Sequence, residues 1–480
     1  MTETIRFLIN GLAREVSGLS PTTTLLDYLR TVEHLTGSKE GCAEGDCGAC
    51  TVVLGEWLDG RVRYRAVNAC IVLLPTLDGR ELITIEHLKA LGSGAPHPVQ
   101  QALVERHGSQ CGFCTPGFVM SLFALFHTRE GYAEAEIQDA IAGNLCRCTG
   151  YRPILDAARD TDRQLRPALP DTTAALAALD RGGEFVYRAA DGAFFAPRTC
   201  EQLAARLAEH PDATLLAGGT DVGLWVTKQH RQLPVLIYTG HVAELKRLHV
   251  GDDGLEIGAA VTWADAFEAL AAYDRSLEIM LRRFASVQIR NSATVGGNIA
   301  NGSPIGDGMP PLIALGARIR LQSARGTREL ALEDYYLDYG RQDRQPGEFV
   351  ESLWLPRLAE GALFRVWKLS KRFDQDISAV CCAFAIALRD GRVHSARIAY
   401  GGMAATPKRA RAAEAALIGQ SWDQATVTRA CAALASDFSP IDDMRASAAY
   451  RRLSAANLMR RLFIESTRPD VDTEVYRHAG

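Results

Sequence analysis

Eight of the 12 cysteines in this chain lie before residue 150, and they form two groups with different spacing. The first group has three cysteines separated by four and then two residues, with a distant fourth: Cys42, Cys47, Cys50 and Cys70. This is the spacing of plant-type 2Fe–2S ferredoxins, in which thiolates converge on two irons from a loop. Zinc also takes four cysteines, usually as two separated pairs, and fits this spacing poorly. The group therefore predicts a 2Fe–2S cluster.

Glycines surround the first three of these cysteines. Gly41, Gly45 and Gly48 are expected to give the loop the positive φ angles that wrapping a cluster requires, because glycine has no Cβ to clash there. Backbone N–H groups must also point inward, toward the negative charge of the cluster. The backbone is therefore expected to take part in holding the cofactor.

The second group consists of Cys111, Cys114, Cys146 and Cys148. Its gaps of two residues and one residue are common, so spacing alone leaves a cluster, zinc or a redox dithiol open. An apolar run follows Cys114 as in a buried helix, with Pro116-Gly117 near its start. Another helical face, residues 137–141, ends at Gly143-Asn144 just before Cys146. Each cysteine pair is thus expected at a helix end, where two antiparallel helices would bring the pairs together.

Composition narrows the class of protein. The 480 residues predict three or four domains at ~100–200 residues each, and the net charge of −4 is too small to indicate nucleic-acid binding. The start of the chain does not resemble a signal peptide, and the apolar run from Phe118 to Phe126 is too short to span a bilayer. Cysteines without secretion signals indicate a reducing compartment. We expect a cytoplasmic protein that binds neither membranes nor nucleic acid.

Local patterns predict the order of elements. Asn10-Gly11 predicts a hairpin of residues 5–9 and 12–16, and Thr23 or Thr24 is a candidate cap for a helix at 25–32. Residues 161–190 show no sustained core pattern and are expected to form a linker. Further strands are expected at 51–54, 61–65, 213–216, 366–369 and 379–388, with helices toward the end of the chain.

Two glycine-rich turns are expected beyond the linker. Gly218-Gly219-Thr220-Asp221 leads into a helix at Val222, and residues 294–299 contain Gly296-Gly297. Successive exposed backbone N–H groups form concavities that bind anions such as a diphosphate. Neither turn has the Gly-x-Gly-x-x-Gly fingerprint or the phosphate loop that ends in Gly-Lys-Ser/Thr. Together they favour a dinucleotide held from two sides, and the alternative is that both are ordinary turns.

Longer motifs around these residues resemble the molybdenum hydroxylase family. They are Gly-Cys-x-Glu-Gly-Asp-Cys-Gly-Ala-Cys (41–50), Gln-Cys-Gly-Phe-Cys-Thr-Pro-Gly (110–117), Gly-Asn-Leu-Cys-Arg-Cys-Thr-Gly-Tyr (143–151), Leu-Ala-Gly-Gly-Thr-Asp (216–221), Ala-Thr-Val-Gly-Gly-Asn-Ile (293–299) and Ser-Pro-Ile-Gly-Asp (303–307). The resemblance implies a multidomain α+β fold. Its expected parts are a β-grasp 2Fe–2S ferredoxin-like domain (1–88), an all-α 2Fe–2S-binding domain (89–160), the linker (161–190), an FAD-binding domain of the vanillyl-alcohol-oxidase/PCMH type (191–361) and a C-terminal α+β domain of the CO dehydrogenase flavoprotein type (362–480).

The domain order resembles the small subunit of bacterial xanthine dehydrogenases, which pairs with a large molybdopterin-binding subunit as an α2β2 heterotetramer. This implies an NAD-dependent oxidoreductase of purine catabolism. Electrons from a molybdenum cofactor on the partner would pass through two 2Fe–2S clusters to FAD and on to NAD⁺, supporting hydroxylation of hypoxanthine and xanthine to urate. The substrate site would lie on the partner, so no catalytic residue is expected in this chain. By the same resemblance, Gln110 would hydrogen-bond the pterin held by the partner.

The resemblance also implies the cofactor contacts. The cluster ligands would be the eight cysteines of the two groups, and the FAD contacts would be Leu215, Leu216, Ala217, Gly218, Gly219, Thr220, Asp221, Val222, Gly223, Phe284, Ala293, Thr294, Gly297, Asn298, Ile299, Asp307, Val350 and Lys368. Amides of both glycine loops would hold the diphosphate. Asp307 would bind sugar hydroxyls, and Lys368 would place positive charge beside the flavin ring. Phe284 would lie near that ring, and the alternative is that it is a core residue. The alternative for Lys368 is a solvated surface lysine.

Two other functions stay open. One is the equivalent subunit of another molybdenum hydroxylase that oxidises aldehydes or N-heterocycles, and the other is a non-enzymatic zinc or redox-sensing protein. Three histidines, His97, His107 and His127, are expected to be structural or exposed. The remaining cysteines have no metal spacing and are expected to be buried apolar residues: Cys200, Cys381, Cys382 and Cys431.

Overall fold

The computed structural model describes residues 4–58, 60–92 and 94–474. The chain divides into two compact units, Met1–Glu244 with Thr262–Ala264 and Ala285–Thr294, and Leu245–Val261 with Asp265–Phe284 and Val295–Gly480. Each unit combines sheets with helices, which confirms the expected multidomain α+β class. Among the described residues, no helix is both long enough and apolar enough to cross a membrane.

The first unit begins with a five-stranded mixed sheet. In spatial order its strands are Leu12–Val16, Ile5–Ile9, Glu81–Ile83, Thr51–Leu58 and Arg61–Asn68. The first two form the predicted hairpin, because Asn10 and Gly11 have the positive φ angles of 52° and 81° that a two-residue turn needs. Ile5–Ile9 also pairs in parallel with Glu81–Ile83.

The helix expected at 25–32 is present and packs on this sheet. It comprises the α-helix Leu25–Asp27 and a π-helical turn at Tyr28–Val32. Thr24, one of the two candidate caps, accepts a hydrogen bond from Asp27 N at 3.1 Å. Short 3-10 helices at Leu74–Leu77 and Ile85–His87 complete this part.

A group of helices follows and forms its own apolar core. The helices are Leu88–Leu91, Pro98–Glu105, Thr115–Thr128, Glu134–Ala142 and Arg152–Asp162. Both helices predicted from the second cysteine group are therefore confirmed. Thr115–Thr128 is buried continuously from Gly117 to Phe126, as expected for a helix that is apolar on all faces. Glu134–Ala142 has Gly143 as its C-terminal cap, three residues before Cys146.

Two histidines of this core are structural, as expected. His97 is fully buried and caps Pro98–Glu105, because its Nδ1 accepts from Val99 N at 3.3 Å. Its Nε2 must then carry the proton, and it donates to His127 Nε2 at 3.1 Å. Burial lowers the pKa of both rings from 6.5 to about 4, with a further contribution to His127 from the nearby charges of His97 and Arg166.

This pair predicts a loss of stability in mild acid. The unfolded histidines bind protons below about pH 6.5, whereas the folded pair resists protonation down to about pH 4. The contribution is therefore complete above pH 6.5 and declines as the pH falls toward 4. We expect the urea midpoint of the first unit to fall less between pH 7 and pH 5 in His127→Phe than in the wild type. An equal fall would contradict the prediction, and His394→Gln, at an exposed position, serves as the control.

The segment predicted as a linker contains regular structure that the sequence did not indicate. Thr173–Leu179 is a helix, and Phe185–Ala189 is a strand. Arg181 pairs with the buried Asp78 at 2.8 Å, and Leu176 is buried. The sequence did not predict this helix, because a short alanine-rich segment with a single buried leucine shows no periodic apolar face.

The first unit ends in a four-stranded sheet. In spatial order the strands are Phe185–Ala189, Gly192–Ala196, Val235–Tyr238 and Thr214–Leu216. The last two pair in parallel, and the predicted strand at 213–216 is confirmed. The accompanying helices are Cys200–Glu209, Val222–Thr227 and Val287–Arg290, with a 3-10 turn at Thr239–His241. The 3-10 turn Glu244–Lys246 begins at the last residue of the stretch Met1–Glu244.

The second unit contains two antiparallel sheets and a hairpin. The strands are, in spatial order, Leu248–Val250, Gly254–Gly258, Phe349–Pro356, Arg318–Ser323 and Gly326–Ala331 in one sheet, Leu363–Leu369, Val380–Arg389, Arg392–Gly401 and Lys408–Arg409 in the other, and Tyr336–Asp338 with Arg341–Gln342 in the hairpin. The strands expected at 366–369 and 379–388 are confirmed, with the second beginning at Val380. The helices are most of Trp263–Ala271, Arg275–Arg282, Val295–Asn301, Met309–Leu315, Arg411–Leu417, Gln424–Asp437 and Ala448–Thr467, with a 3-10 turn at Leu332–Asp334.

The four cysteines outside the two groups are buried, as predicted. Cys381 and Cys382 lie on the central strand Val380–Arg389, and Cys431 lies on the helix Gln424–Asp437. Cys200 begins the helix Cys200–Glu209 in the first unit. Burial raises the pKa of Cys382 and Cys431, so both thiols stay protonated and behave as small apolar side chains.

Candidate functional site

The first cysteine group converges in the structure. Backbone N–H groups of Asp46 and Cys47 donate to Cys42 Sγ at 3.4 and 3.3 Å. Hydrogen bonds from the Cys47 and Cys70 thiols lower the pKa of Cys42. A hydrogen bond from the Cys70 thiol likewise lowers the pKa of Cys50. The fold thus brings together all four thiols, with inward N–H groups of the kind that a negatively charged cofactor requires.

The glycines of this loop have two different roles. Gly45 and Gly48 take positive φ angles of 77° and 67°, as predicted. Gly41 does not, and Ala43 instead adopts the left-handed conformation with φ of 54°. A Cβ at Gly41 would lie 2.8 Å from Cys47 Sγ. Glycine is therefore needed there to leave room for the thiol, and the expected backbone role for Gly41 was wrong.

The second cysteine group meets as two pairs. A hydrogen bond from the backbone of Phe113, and then one from the Cys148 thiol, lowers the pKa of Cys111. Burial, followed by a hydrogen bond with Cys146, raises the pKa of Cys114 to about 12. Cys111 and Cys148 are exposed, whereas Cys146 is buried. Each pair joins a residue from the start of one helix to a residue beyond the end of the next, as the sequence predicted.

Both groups fit the ligand number of a 2Fe–2S cluster, since each supplies four thiols from two chain segments. The thiols of the first group as placed form a hydrogen-bonded series, and those of the second group meet as two pairs. Within residues 4–58, 60–92 and 94–474, no group of three or more His, Cys, Asp or Glu side chains is arranged to hold a single metal ion. The two groups are neighbours, because Leu145 N, next to Cys146, donates to the carbonyl oxygen of Cys47 at 2.9 Å.

The first glycine loop lies in the first unit and fits the predicted anion cradle. Strand Thr214–Leu216 leads into it, and the helix Val222–Thr227 follows. Gly219 has φ of 74°. A Cβ at Gly218 would lie 1.7 Å from the carbonyl oxygen of Ser292 and 3.0 Å from Ala293 Cα. The loop therefore lies directly against residues 292–293, so the structure brings these two predicted contact regions together.

The same loop also packs on the first cysteine group. A Cβ at Gly223 would lie 2.8 Å from both Cβ and the carbonyl oxygen of Ile71, and one at Gly219 would lie 3.3 Å from that oxygen. Ile71 follows Cys70 in the chain. Gly223 is thus required by the close approach of the backbone beside a candidate cluster ligand, and Gly219 packs tightly against the same backbone.

The second glycine segment is not a turn. In the second unit Val295–Asn301 is a helix that includes Gly297, Asn298 and Ile299. Gly296 is required by close packing, because a Cβ there would lie 2.4 Å from the Cβ of Ala259. The Oδ1 atom of Asn298 is buried without a hydrogen-bond partner, which suits a polar ligand. The expected turn was wrong because glycines needed for packing inside a helix look like turn residues in the sequence.

Asp307 and Lys368 form a buried ion pair in the second unit. Lys368 is 3% exposed and Asp307 is 5% exposed. The Lys368 ammonium donates to Asp307 Oδ2, to the carbonyl oxygen of Asp376 at 2.6 Å and to Ser378 Oγ at 2.9 Å. Ser378 Oγ in turn donates to Asp307 Oδ1 at 2.5 Å. Lys368 is therefore not a surface lysine, and both Asp307 oxygens already accept hydrogen bonds from side chains.

The two remaining predicted FAD contacts, Phe284 and Val350, have apolar side chains. Phe284 is half-buried, and Val350 is buried on the strand Phe349–Pro356 opposite Leu321. Arg283, beside Phe284, donates to the carbonyl oxygens of Lys368 and Phe373 at 2.9 and 3.1 Å. Its guanidinium also lies over the Phe373 ring, 4.8 Å from the centroid. Arg283 thus anchors the charged loop 371–376.

Comparison with known families follows the same order along the chain. Residues 7–74 match the 2Fe-2S iron-sulfur cluster binding domain, and residues 84–159 match a second 2Fe-2S binding domain. Residues 188–358 match the FAD binding domain in molybdopterin dehydrogenase. Residues 365–466 match the CO dehydrogenase flavoprotein C-terminal domain.

Individual relatives agree with these domains. The chain is 32% identical to a xanthine dehydrogenase of Emericella nidulans over 98% of its own length and 40% of that protein. It is 34% identical to xanthine dehydrogenase 2 of Arabidopsis thaliana over 89% of its length and 37% of the relative. A solved structure of carbon monoxide dehydrogenase from Hydrogenophaga pseudoflava, which lacks the Mo-pyranopterin moiety, is similar with a TM-score of 0.53 and 28% identity, covering 56% of this chain and 94% of that one.

The chain belongs to the molybdenum hydroxylase family. It spans less than half the length of the two xanthine dehydrogenases above. As in this family, the chain carries two 2Fe–2S domains and an FAD-binding domain, so the sequence resemblance and the fold class are both confirmed.

Sequence reasoning missed three residues that shape this member of the family. Ile71 adjoins the ligand candidate Cys70, and Ser292 adjoins the predicted contact Ala293, so proximity along the chain could have indicated both. Gln288 gave no signal, because one glutamine between Val287 and Ile289 has neither motif nor periodicity. It nevertheless contacts segments from both cysteine groups.

Proposed function

We propose that this chain is the electron-transfer subunit of a xanthine dehydrogenase, linking a molybdenum site on a partner subunit to NAD⁺. The observation that carries the proposal is the order of sites within the first unit. Leu145, beside Cys146, is hydrogen-bonded to Cys47, and Ile71, beside Cys70, packs on the glycine loop at Gly219 and Gly223. The three candidate cofactor sites therefore follow one another without intervening structure.

The chain's own residues hold and shield these sites. When bound, two 2Fe–2S clusters and FAD supply the one- and two-electron chemistry that side chains lack. We propose the eight cysteines of the two groups as cluster ligands, and the residues of 215–223, 293–294 and 297–299 as FAD contacts. Cys50 and Cys70 of the first site are buried, and Cys42 and Cys47 are half-buried. The exposed Cys111 and Cys148 leave the second site accessible from outside.

That accessible face supports a partner. Gln110 precedes the exposed Cys111, which suits its proposed hydrogen bond to a pterin on a large molybdopterin-binding subunit. We propose the α2β2 arrangement from the resemblance of the domain order to the small subunits of bacterial xanthine dehydrogenases. The relatives named xanthine dehydrogenase support oxidation of a purine, and we propose NAD⁺ as the electron acceptor.

Cofactor content tests the proposal directly. The purified full chain is expected to contain about four irons, two for each 2Fe–2S cluster, and one FAD. Iron and acid-labile sulfide analysis, with the visible spectrum, measures both. Zinc in place of iron, together with the absence of flavin, would instead indicate a zinc or redox-sensing protein.

The alternative is the activity of another branch of the family, which oxidises aldehydes or N-heterocycles. It stays open because the chain is also similar to carbon monoxide dehydrogenase, at 28% identity. The proposed substrate site lies on the partner, so the copurified complex must be assayed. Xanthine with NAD⁺ is expected to give NADH. Turnover of aldehydes or N-heterocycles without turnover of xanthine would place the complex in another branch of the family.

A further inference from the structure

Gln288 lies where the segments that carry the two cysteine groups meet. It belongs to the short helix Val287–Arg290 of the first unit and is 1% exposed. Its Nε2 atom lies 3.0 Å from Ser121 Oγ, 3.1 Å from Asn144 Oδ1 and 3.3 Å from Thr51 Oγ1. One buried amide therefore contacts three segments that are far apart in the sequence.

Each of these partners is tied to a cysteine. Thr51 follows Cys50, and Asn144 lies two residues before Cys146. Ser121 belongs to the helix that begins directly after Cys114. The amide of Gln288 thus reaches both cysteine groups through their supporting segments, without touching a thiol.

The hydrogen-bond directions fix the orientation of the amide. Thr51 Oγ1 donates its proton to the carbonyl oxygen of Gly48 at 2.6 Å, and Ser121 Oγ donates its proton to Asn144 Oδ1 at 2.7 Å. All three atoms facing Gln288 are then acceptors, so the amide nitrogen must face them, with its two N–H donors shared among the three. The opposite Oε1 is buried without a hydrogen-bond partner, near Gly143. An unsatisfied buried carbonyl is costly, so the donor side of the amide must outweigh it.

The backbones around Gln288 are in direct contact. A Cβ at Gly48 would lie 2.1 Å from the carbonyl oxygen of Gly143, and one at Gly117 would lie 2.2 Å from that of Gly48. Asn144 Nδ2 also donates to the Gly48 oxygen at 3.0 Å. The lack of a Cβ at these three glycines therefore lets the backbones of the three segments come into contact. Side-chain hydrogen bonds hold the segments in position.

The segment that carries Gln288 is itself anchored. Arg290 forms a two-pronged ion pair with Asp139 at 2.6 and 2.7 Å, and the Arg290 side chain is 5% exposed. Asn291 donates to the carbonyl oxygen of Ala66 at 2.9 Å. Ser286 caps the helix by accepting from Ile289 N at 3.2 Å. Gln288 is thus presented from a fixed position.

We infer that Gln288 is a positioning residue that holds the two cysteine groups at one separation, so that the sites they form exchange electrons rapidly. This rests on the proposed function. In that exchange one electron leaves the Cys111 site, which is oxidised, and enters the Cys42 site, which is reduced, without a proton. The hydrogen bond from Leu145 N to the Cys47 oxygen at 2.9 Å joins the segments of the two groups, and the Gln288 amide keeps those segments in place.

The test compares Gln288→Glu and Gln288→Met with the wild type in the full chain. Glutamate places carboxylate oxygens against three acceptors, and methionine keeps the length without any donor. Both variants should retain iron and flavin. After full reduction with dithionite, the dipolar splitting between the two reduced clusters in the EPR spectrum should change. Electron redistribution after flash reduction should slow by roughly tenfold, since small misplacements of reacting groups cost up to about 100-fold. Gln138→Leu, an exposed glutamine on Glu134–Ala142, is the matched control and should leave both unchanged.

The outcomes separate this inference from the proposed function. Wild-type chain without iron would defeat the proposed function. A fully loaded Gln288→Glu variant with unchanged splitting and rate would overturn the positioning role. Loss of iron from Gln288→Met would assign the residue to cluster retention, and that too would overturn it.

Discussion

Replacing Gly218 with alanine is expected to weaken FAD binding strongly while leaving the iron content of the chain unchanged. The added methyl group would lie 1.7 Å from the carbonyl oxygen of Ser292 and 3.0 Å from Ala293 Cα. Both obstacles are backbone atoms, so no side chain can turn aside to make room. The loop must move away from residues 292–293, and the proposed diphosphate cradle then opens. We expect FAD affinity to fall by at least about 100-fold, equivalent to about 3 kcal/mol.

The measurement is the ratio of flavin to iron after gel filtration. Gly183→Ala is the matched control, because nothing lies within 4 Å of a Cβ at that position, and this variant should keep its FAD. A Gly218→Ala chain that retains one FAD for each set of two clusters would contradict the prediction. Loss of iron from the same variant would show that the damage spreads to the cluster site through Ile71.

Replacing Lys368 with methionine is expected to destabilise the second unit by about 3–5 kcal/mol, because it leaves the Asp307 carboxylate buried without its cation. The side chains of Lys368 and Asp307 are only 2% and 6% exposed. Methionine keeps most of the apolar stem, so the lost charge dominates. Urea unfolding measured by tryptophan fluorescence reports on this region, since Trp367 is buried next to Lys368 on the same strand.

Two further variants separate charge from packing. Lys371→Met, at an exposed lysine three residues away, should change the free energy of unfolding by less than about 0.5 kcal/mol. The double variant Lys368→Met/Asp307→Asn should recover part of the loss, because no unpaired charge stays buried. A Lys368→Met midpoint equal to that of the wild type would show that Asp307 is neutralised in another way.

The ion pair also changes the proposed part of Lys368 in flavin chemistry. Asp307 balances the charge of Lys368, so the pair presents a small net field. The Lys368 ammonium donates its other hydrogen bonds to Ser378 and to the carbonyl oxygen of Asp376. The pair is therefore better suited to fixing the strand Leu363–Leu369 against the segment around residue 307 than to stabilising an anionic flavin.

Local sequence patterns predicted many of the elements of the fold. The hairpin at Asn10-Gly11, the cap at Thr24 and the helix after Cys114 were all readable, because turns, caps and periodic burial depend on residues close together in the chain. The turn predicted at residues 296–297 was wrong, because the sequence does not distinguish a glycine that makes a turn from one that leaves room for a neighbouring backbone. The helix Thr173–Leu179 was missed for want of a periodic face.

The sequence by itself determined the chemistry of this protein, since the spacing of the cysteines and the family motifs specify the kinds of cofactor. The tertiary structure decided how the candidate sites are connected. Gln288 contacts Thr51 across 237 positions, and Lys368 meets Asp307 across 61. Such partners are chosen by the packing of whole elements, which no local pattern records. The eight cysteines therefore indicate which groups the chain can hold, and the fold places them beside one another and beside the glycine loop.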